Sequence, residues 1–423
     1  MKYLIVMTIS LILSSQGLAM YKGFNLTEYD GFLYDAATDG SKTDAQKAVD
    51  SAKALGSNHI ELNIRAKMIG PFSNEIIPVS PAPESSQELR RIVRLMKYIK
   101  EQGMTVGLRP IFFVVGPNNE FPLIETLADG SAKTWWHGNI QPSNPNAWFL
   151  SFQNYLDRYA LVAKMGKADT FTIGAELYSM TVGVEDQWKE YPYGFPNQWL
   201  NILRYIRAKL SSVGTKLAYD INFTDDSNLD GSGILKSGGE LERWRYRLVD
   251  LANPTDEMQK AVWLDLVQFW TELDIVGIDM YRSLALPEDK ASITNNLEEV
   301  TAILRRRSDE YAQQLDTTLL EISLTLEVDK KIVFKEIGYR SVDYSFIDPF
   351  NYASAQGAYN EVHQAAGYTA IFESFMVPGF EWFDGIAFWD IPIDPNANGP
   401  GNLGFSPIGK PITSEQIRKY FGE

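Results

Sequence analysis

Two glutamates stand at places where a carboxylate needs a reason to be. Residues 331–341 read KIVFKEIGYRS; Glu336 closes a β-branched and aromatic run with the composition of a buried strand, and Gly338 then breaks the pattern. A carboxylate at the end of an apolar strand is costly to desolvate unless something pairs with it or uses it. Lys335 and Arg340 are the local partners for a plain salt bridge. Glu176 has the same setting, at the end of TFTIGAEL over 170–177. Brought together, two carboxylates can divide labour. One, protonated, gives its proton to a leaving group; the other, ionised, attacks or activates water. Whether they meet depends on the elements that carry them.

Short strand-like runs recur at 21–26, 58–64, 105–113, 170–175, 216–222, 273–280, 331–336 and 385–390. Helix-like stretches lie between them at 43–55, 86–101, 146–164, 196–210, 293–313 and 354–375, the first from a Thr-Asp start to Gly56. Helices alternating with buried, β-branched strands imply parallel strands covered by helices. Eight such units predict an α/β fold of the (β/α)8 TIM barrel type. An open doubly wound sheet is the alternative, but GFNLTEYDG after the first strand is not a glycine-rich phosphate turn. A barrel needs about 250 residues, so this chain carries insertions. The loop at 114–144 is long and rich in Pro, Asn and Trp, and the segment 225–272 exceeds one crossover, reading as two helices at 240–251 and 256–270. With no repeat, linker or low-complexity tract, one domain over 20–423 is expected.

In such a barrel the C-terminal strand ends meet at one face, where sites are built. The strand ends here supply Asn25 and Glu28, then Glu61, Asn63 and Arg65, then Arg109, Glu176, Asp220 and Asn222, Asp279 and Tyr281, Glu336, and Trp389 with Asp390. Glu336 would then face a polar ring that also holds Glu176, in which Asn25, Arg109, Asn222, Tyr281 and Trp389 are expected to meet the substrate. Two carboxylates among Trp, Tyr and Asn fit hydrolysis of a glycosidic bond. The plain reading of either glutamate alone, a carboxylate bonded to strand-end amides, stays open. By strand alternation Lys335, next to Glu336, should face outward.

Composition narrows the partners. Aromatic residues make up 13% of the 423-residue chain, which suits either a large core or a carbohydrate site. A net charge of −15 argues against nucleic acid and anionic membrane. Without Cys there is no disulfide, thiol nucleophile or Cys-bound metal, and three His (His59, His137, His363) make a multi-His metal site a poor expectation. No cofactor is expected; the partner is a polysaccharide or oligosaccharide, and the chain should act as a monomer. Lys2, the apolar run 3–13 and the small residues Gly17 and Ala19 form a signal-peptide pattern over 1–19. A secreted or periplasmic protein is expected.

Ordered along the chain are KGFNL at 22–26, LGSNHIEL at 55–62, TWWHGNIQP at 134–142, IGAEL at 173–177, LDIVGIDMY at 273–281, KEIGYRS at 335–341 and GFSPIGKP at 404–411. Through these pieces the chain resembles glycoside hydrolase family 113, the endo-β-1,4-mannanases of the retaining clan A. The resemblance implies Glu176 as general acid/base, Glu336 as nucleophile and Trp389 as a platform under the sugar at the cleavage point. The chain departs from the pattern in three places. Ala175 precedes Glu176 where many clan members have an Asn that binds the sugar 2-hydroxyl; Asn222 is a substitute for that contact. His137 stands where the family's loop often has Arg. The segment 225–272 is unusually long.

Other residues have two readings. Trp135, Trp136 and His137 form either a subsite wall or a loop pinned by buried aromatics. Tyr281 either orients Glu336 or packs. Arg109 is a candidate to stabilise a nearby carboxylate, and Arg65 to neutralise acid elsewhere in the ring. Asp394 and Asn396 belong to a plain Asn/Gly/Pro loop rather than a calcium loop. Two other classes compete with the hydrolase: a non-catalytic glycan-binding protein, disfavoured by retention of both glutamates, and a Schiff-base aldolase, for which Lys335 is the strand-end lysine.

Overall fold

The computed structural model describes residues 20–28, 41–79, 85–130, 132–184, 188–224, 239–350 and 357–422. The leader expected at 1–19 lies outside them, as do residues 225–238 of the long segment and 351–356 at the start of the sixth helix-like stretch.

Eight parallel strands form the centre: β1 (Tyr21–Thr27), β2 (His59–Ile69), β3 (Thr105–Val115), β4 (Thr170–Ala175), β5 (Lys216–Thr224), β6 (Ile275–Tyr281), β7 (Ile332–Glu336) and β8 (Phe383–Pro392). Each pairs with the next, and β1 pairs with both β2 and β8, which closes the barrel. The expected α/β (β/α)8 architecture is the one found. Eight principal helices alternate with the strands or close the chain: α1 (Asp44–Ala54), α2 (Ser85–Glu101), α3 (Pro145–Gly166), α4 (Pro196–Leu210), α5 (Glu257–Glu272), α6 (Leu297–Leu326), α7 (Glu361–Ile371) and α8 (Pro411–Gly422). Local chemistry sets their starts. Thr43 and Gln46 make a reciprocal capping box on α1, and Asn144 caps α3 with Pro145 in its first turn. Helix α6 runs well beyond the expected 313, because Leu315, Thr318, Leu319 and Ile322 continue its buried stripe. The 225–272 segment supplies α5 itself and a shorter helix, Gly239–Arg245, packed on β5. After β3, a hairpin of Leu123–Thr126 and Ala132–Trp135 fills the long loop.

The barrel interior is layered, with an apolar floor. Tyr21, Ala218, Ile275 and Val333 form that floor. Above it lies charge. Glu61 accepts from the Lys335 ammonium, from His59 at 2.9 Å and from Thr170 at 3.2 Å. Two glycines make room: a Cβ on Gly107 would lie 2.2 Å from the Glu61 carboxylate, and one on Gly277 2.1 Å from Asp220. Burial opposes ionisation of Glu61, yet the Lys335 ammonium and His59 hold its carboxyl well below the usual range.

This corrects the expectation for Lys335. It faces inward and is 1% exposed. Phe334 is the residue that faces the helices, 4.8 Å from Phe375 and 5.2 Å from Phe383. The register of β7 on β6 slips between Phe334 and Glu336. That irregularity lets Glu336 follow an inward residue and still reach the open end. Lys335 bonds Glu61 and not Glu336. Lys335→Met should therefore cost about 3–5 kcal/mol, because it strands a buried carboxylate. Urea unfolding measures it, and Lys335→Met/Glu61→Gln should recover most of the loss. A single-variant cost below about 1 kcal/mol would show that Glu61 does not depend on this lysine.

Candidate active site

The site is built at the C-terminal ends of the strands. Past Ala175 the chain turns, and Glu176 takes a left-handed φ of 54°. A side chain there costs about 1 kcal/mol that glycine would not. Its N–H donates to the Asp220 carbonyl at 2.8 Å, tying the turn to β5. Oε2 lies 2.9 Å from Nε2 of His137, and Oε1 accepts from Nδ2 of Asn222 at 2.7 Å. Glu336 has different partners. Nη1 of Arg109 donates to its Oε1, and the Tyr281 hydroxyl donates to Oε2 at 3.0 Å.

Arg109 spans the barrel beneath them. Its Nε donates to Asp220 at 2.7 Å, Nη2 to Asp279 at 2.8 Å and Nη1 also to Asn63 at 3.2 Å. One guanidinium thus faces three carboxylates. Asp220 and Asp279 are fully buried, whereas the side chains of Glu176 and Glu336 keep 12% and 14% exposure. Of these four acids, only the two glutamates are open to a substrate.

The electrostatics follow from this sharing. Burial pushes Asp279 far above the carboxylate range and Asp220 and Glu336 up less, with Arg109 the main opposing influence on each. Each of the three thus binds its proton more tightly than a free carboxylate, and the one guanidinium works against that on all of them. Glu176 goes the other way. Burial raises its carboxyl, but His137, then Asn222 and Arg109, outweigh burial and leave it below the ordinary glutamate value. An acid/base role calls for a raised value, and these partners reverse it. His137 is the main reason: its Nε2 lies 2.9 Å from Oε2 and opposes burial most strongly.

The other sequence-predicted residues separate into those at the opening and those beneath it. Trp389 is partly exposed at the end of β8, and Tyr281 is 9% exposed. Trp136 is partly buried, its ring 4.7 Å from His137 and 5.8 Å from Tyr178, so it backs His137. Trp135 is buried and donates to Glu125 at 2.6 Å, which is the pinned-loop reading. Asn25 and Arg109, expected to bind substrate, are 0% and 1% exposed. The Asn25 amide donates to the carbonyls of Lys335 at 2.8 Å and Ala387 at 3.1 Å and accepts from Asn63, so it ties β1 to β7 and β8 from below. Asn222 is turned onto Glu176 and does not stand free to replace the missing Asn. Arg65 donates to the Glu28 carbonyl at 2.5 Å and lies over Phe113. Asp394 caps the turn Pro395–Ala397. Sequence reasoning missed Glu240, which lies directly behind Asn222. A glutamate at the start of a polar helix reads as a surface residue, and nothing in SGGELERWR says otherwise.

No curated protein matches the sequence. Among solved structures, a family 113 β-mannanase from Alicyclobacillus acidocaldarius, in complex with ManMIm, is 18% identical with a TM-score of 0.61 over 96% of this chain and 98% of its own. A second family 113 β-1,4-mannanase is also 18% identical, with a TM-score of 0.59 over 96% of this chain and 100% of its own. At that identity the likeness shows the shared barrel. The family model for Glycoside Hydrolase Family 113 matches residues 32–205 and 251–410. Those two stretches hold both mouth glutamates and most of the strands that position them, and on that match the chain belongs to glycoside hydrolase family 113.

Proposed function

We propose that this family 113 glycoside hydrolase is a retaining endo-β-1,4-mannanase, with Glu336 as nucleophile and Glu176 as acid/base. The observation that carries the assignment is that the two exposed acids of the site have unlike partners. Glu336 rests on a guanidinium and a phenol, which favour an attacking carboxylate. Glu176 is held instead by an imidazole and an amide. In the first step Glu336 attacks the anomeric carbon as Glu176, in its acid form, passes its proton to the leaving oxygen. The ester on Glu336 removes its charge. Glu176 is then free to ionise and draws the proton from the incoming water. Family membership supports the reaction class, and the distant neighbours that are β-mannanases support mannan as the substrate. The leader pattern at 1–19 supports action outside the cytoplasm.

Incubation of the purified protein with mannan, glucomannan, xylan and mixed-linkage β-glucan tests both parts, with NMR of the first-formed anomer. Expected are cleavage of mannan within the chain and a β-anomeric product. Cleavage of another polymer alone removes the mannanase assignment, and an α-anomeric first product removes the double displacement.

His137 gives a separate test. It is the largest influence holding Glu176 down. In His137→Ala the carboxyl rises, so its acid form persists to higher pH. The alkaline limb of the rate profile should move to higher pH than in the parent protein. A limb that stays in place or moves to lower pH shows that His137 does not set the proton affinity of Glu176.

A further inference from the structure

One buried carboxyl near the site has no part in the chemistry above. Glu240 is the second residue of the short helix Gly239–Arg245 and is 0% exposed. Its Oε1 accepts from Trp244 Nε1 at 3.0 Å and from the Tyr219 hydroxyl at 3.2 Å, and its Oε2 accepts from the Asn222 backbone N–H at 3.2 Å. Two of these three contacts lead to Glu176. The Asn222 side chain is the donor on Glu176 Oε1 at 2.7 Å. The Tyr219 oxygen accepts from the Leu177 N–H at 3.1 Å and lies 3.0 Å from Thr181 Oγ1. Leu177 follows Glu176, so that N–H belongs to the peptide leaving its left-handed turn. We infer that Glu240 is a positioning residue for Glu176, fixing both the amide that holds its carboxylate and the peptide that sets its backbone.

The approach of the helix is built for this contact. Gly239 has φ 59°, and a Cβ there would lie 2.5 Å from Asn222 Oδ1 and 3.0 Å from the Thr224 nitrogen. Only glycine lets the helix start come so close to β5. The stretches matched by the family model stop at 205 and resume at 251, so Glu240 lies in a segment outside both.

The inference rests on the acid/base reading of Glu176, and the experiment separates the two. Glu240→Gln keeps the volume but turns an N–H toward the Asn222 donor. A misplaced acid/base hurts substrates that need leaving-group protonation and spares those that do not. Glu240→Gln should thus lose about tenfold in kcat on a manno-oligosaccharide and less than about threefold on an activated aryl mannoside, with KM little changed. Equal loss on both substrates, or no loss on either, overturns the inference. Glu176→Ala is assayed beside it. If that variant shows no steep dependence on the leaving group, the acid/base reading fails and takes the inference with it. Should Glu240→Gln not fold, Tyr219→Phe removes only the hydroxyl that links Glu240 to Leu177. It should show the same selective loss; an unselective one again overturns the inference.

Discussion

Glu336→Ala should lower turnover by on the order of 10⁵-fold, and azide should restore part of it with a product of inverted configuration. The size of the loss follows from the role: without the carboxylate there is no covalent intermediate, and what remains is binding and protonation by Glu176. The rescue follows from what the substitution leaves behind. Arg109 Nη1 and the Tyr281 hydroxyl would both point donors into the vacated space. A small anion suits that space, beside the face of the anomeric carbon that Glu336 attacks. With Glu176 still able to protonate the leaving oxygen, azide adds once and the configuration inverts. Folding should not suffer, since one of three acids crowding a single guanidinium has gone. The thermal midpoint should therefore hold or rise while activity falls. NMR of the azide adduct is the decisive measurement. A retained product, or high turnover without azide, would remove Glu336 from the nucleophile's place.

How far the sequence carried this reading depended on which physical signal each feature leaves. The eight strands were legible because buried parallel strands are written as short β-branched runs with helical stretches between them, as in IVGIDMY and KIVF. Their common C-terminal end then placed Glu176, Glu336, Arg109 and Tyr281 in one ring. What lay below the ring was not legible. Alternation is a rule about regular strands, and the slip between Phe334 and Glu336 breaks it, so Lys335 points inward although its neighbour reaches the open end. Depth was equally hidden. Asn25 and Arg109 sit on the right strands one layer too low to meet a substrate. The surroundings of Glu176 were hidden for a related reason. The sequence shows a glutamate at a strand end, but only the fold brings His137 from a loop 39 residues away to within 2.9 Å of it. Glu240 left no trace because its burial is decided by Gly239 and β5.

Arg109→Met is the change expected to damage the fold most. It leaves Asp220, Asp279 and Glu336 around an apolar side chain, and the loss should be about 3–5 kcal/mol near neutral pH. The loss should depend on pH with a definite sign. After burial, Arg109 is the largest influence on all three acids, and it opposes the rise that burial causes. Without it each rises further above the value it has in the unfolded chain. A carboxyl whose folded value is raised binds its proton more tightly in the native state. Its contribution to stability is fully present below the ordinary carboxylate range and is lost as pH climbs through the raised value. The gap between parent and variant should then be smallest near about pH 4 and widen toward neutrality. Urea titrations at several pH values measure it. A gap that stays constant with pH would mean that the arginine serves by packing and not by charge. The double variant Arg109→Met/Asp279→Asn removes one of the stranded acids and should recover part of the stability at neutral pH. It should not recover turnover, because Glu336 would still lack the cation that opposes its protonation and the donor that holds its Oε1. Stability regained without activity would separate the two tasks of this one side chain: balancing buried charge within the barrel, and arming the carboxylate above it.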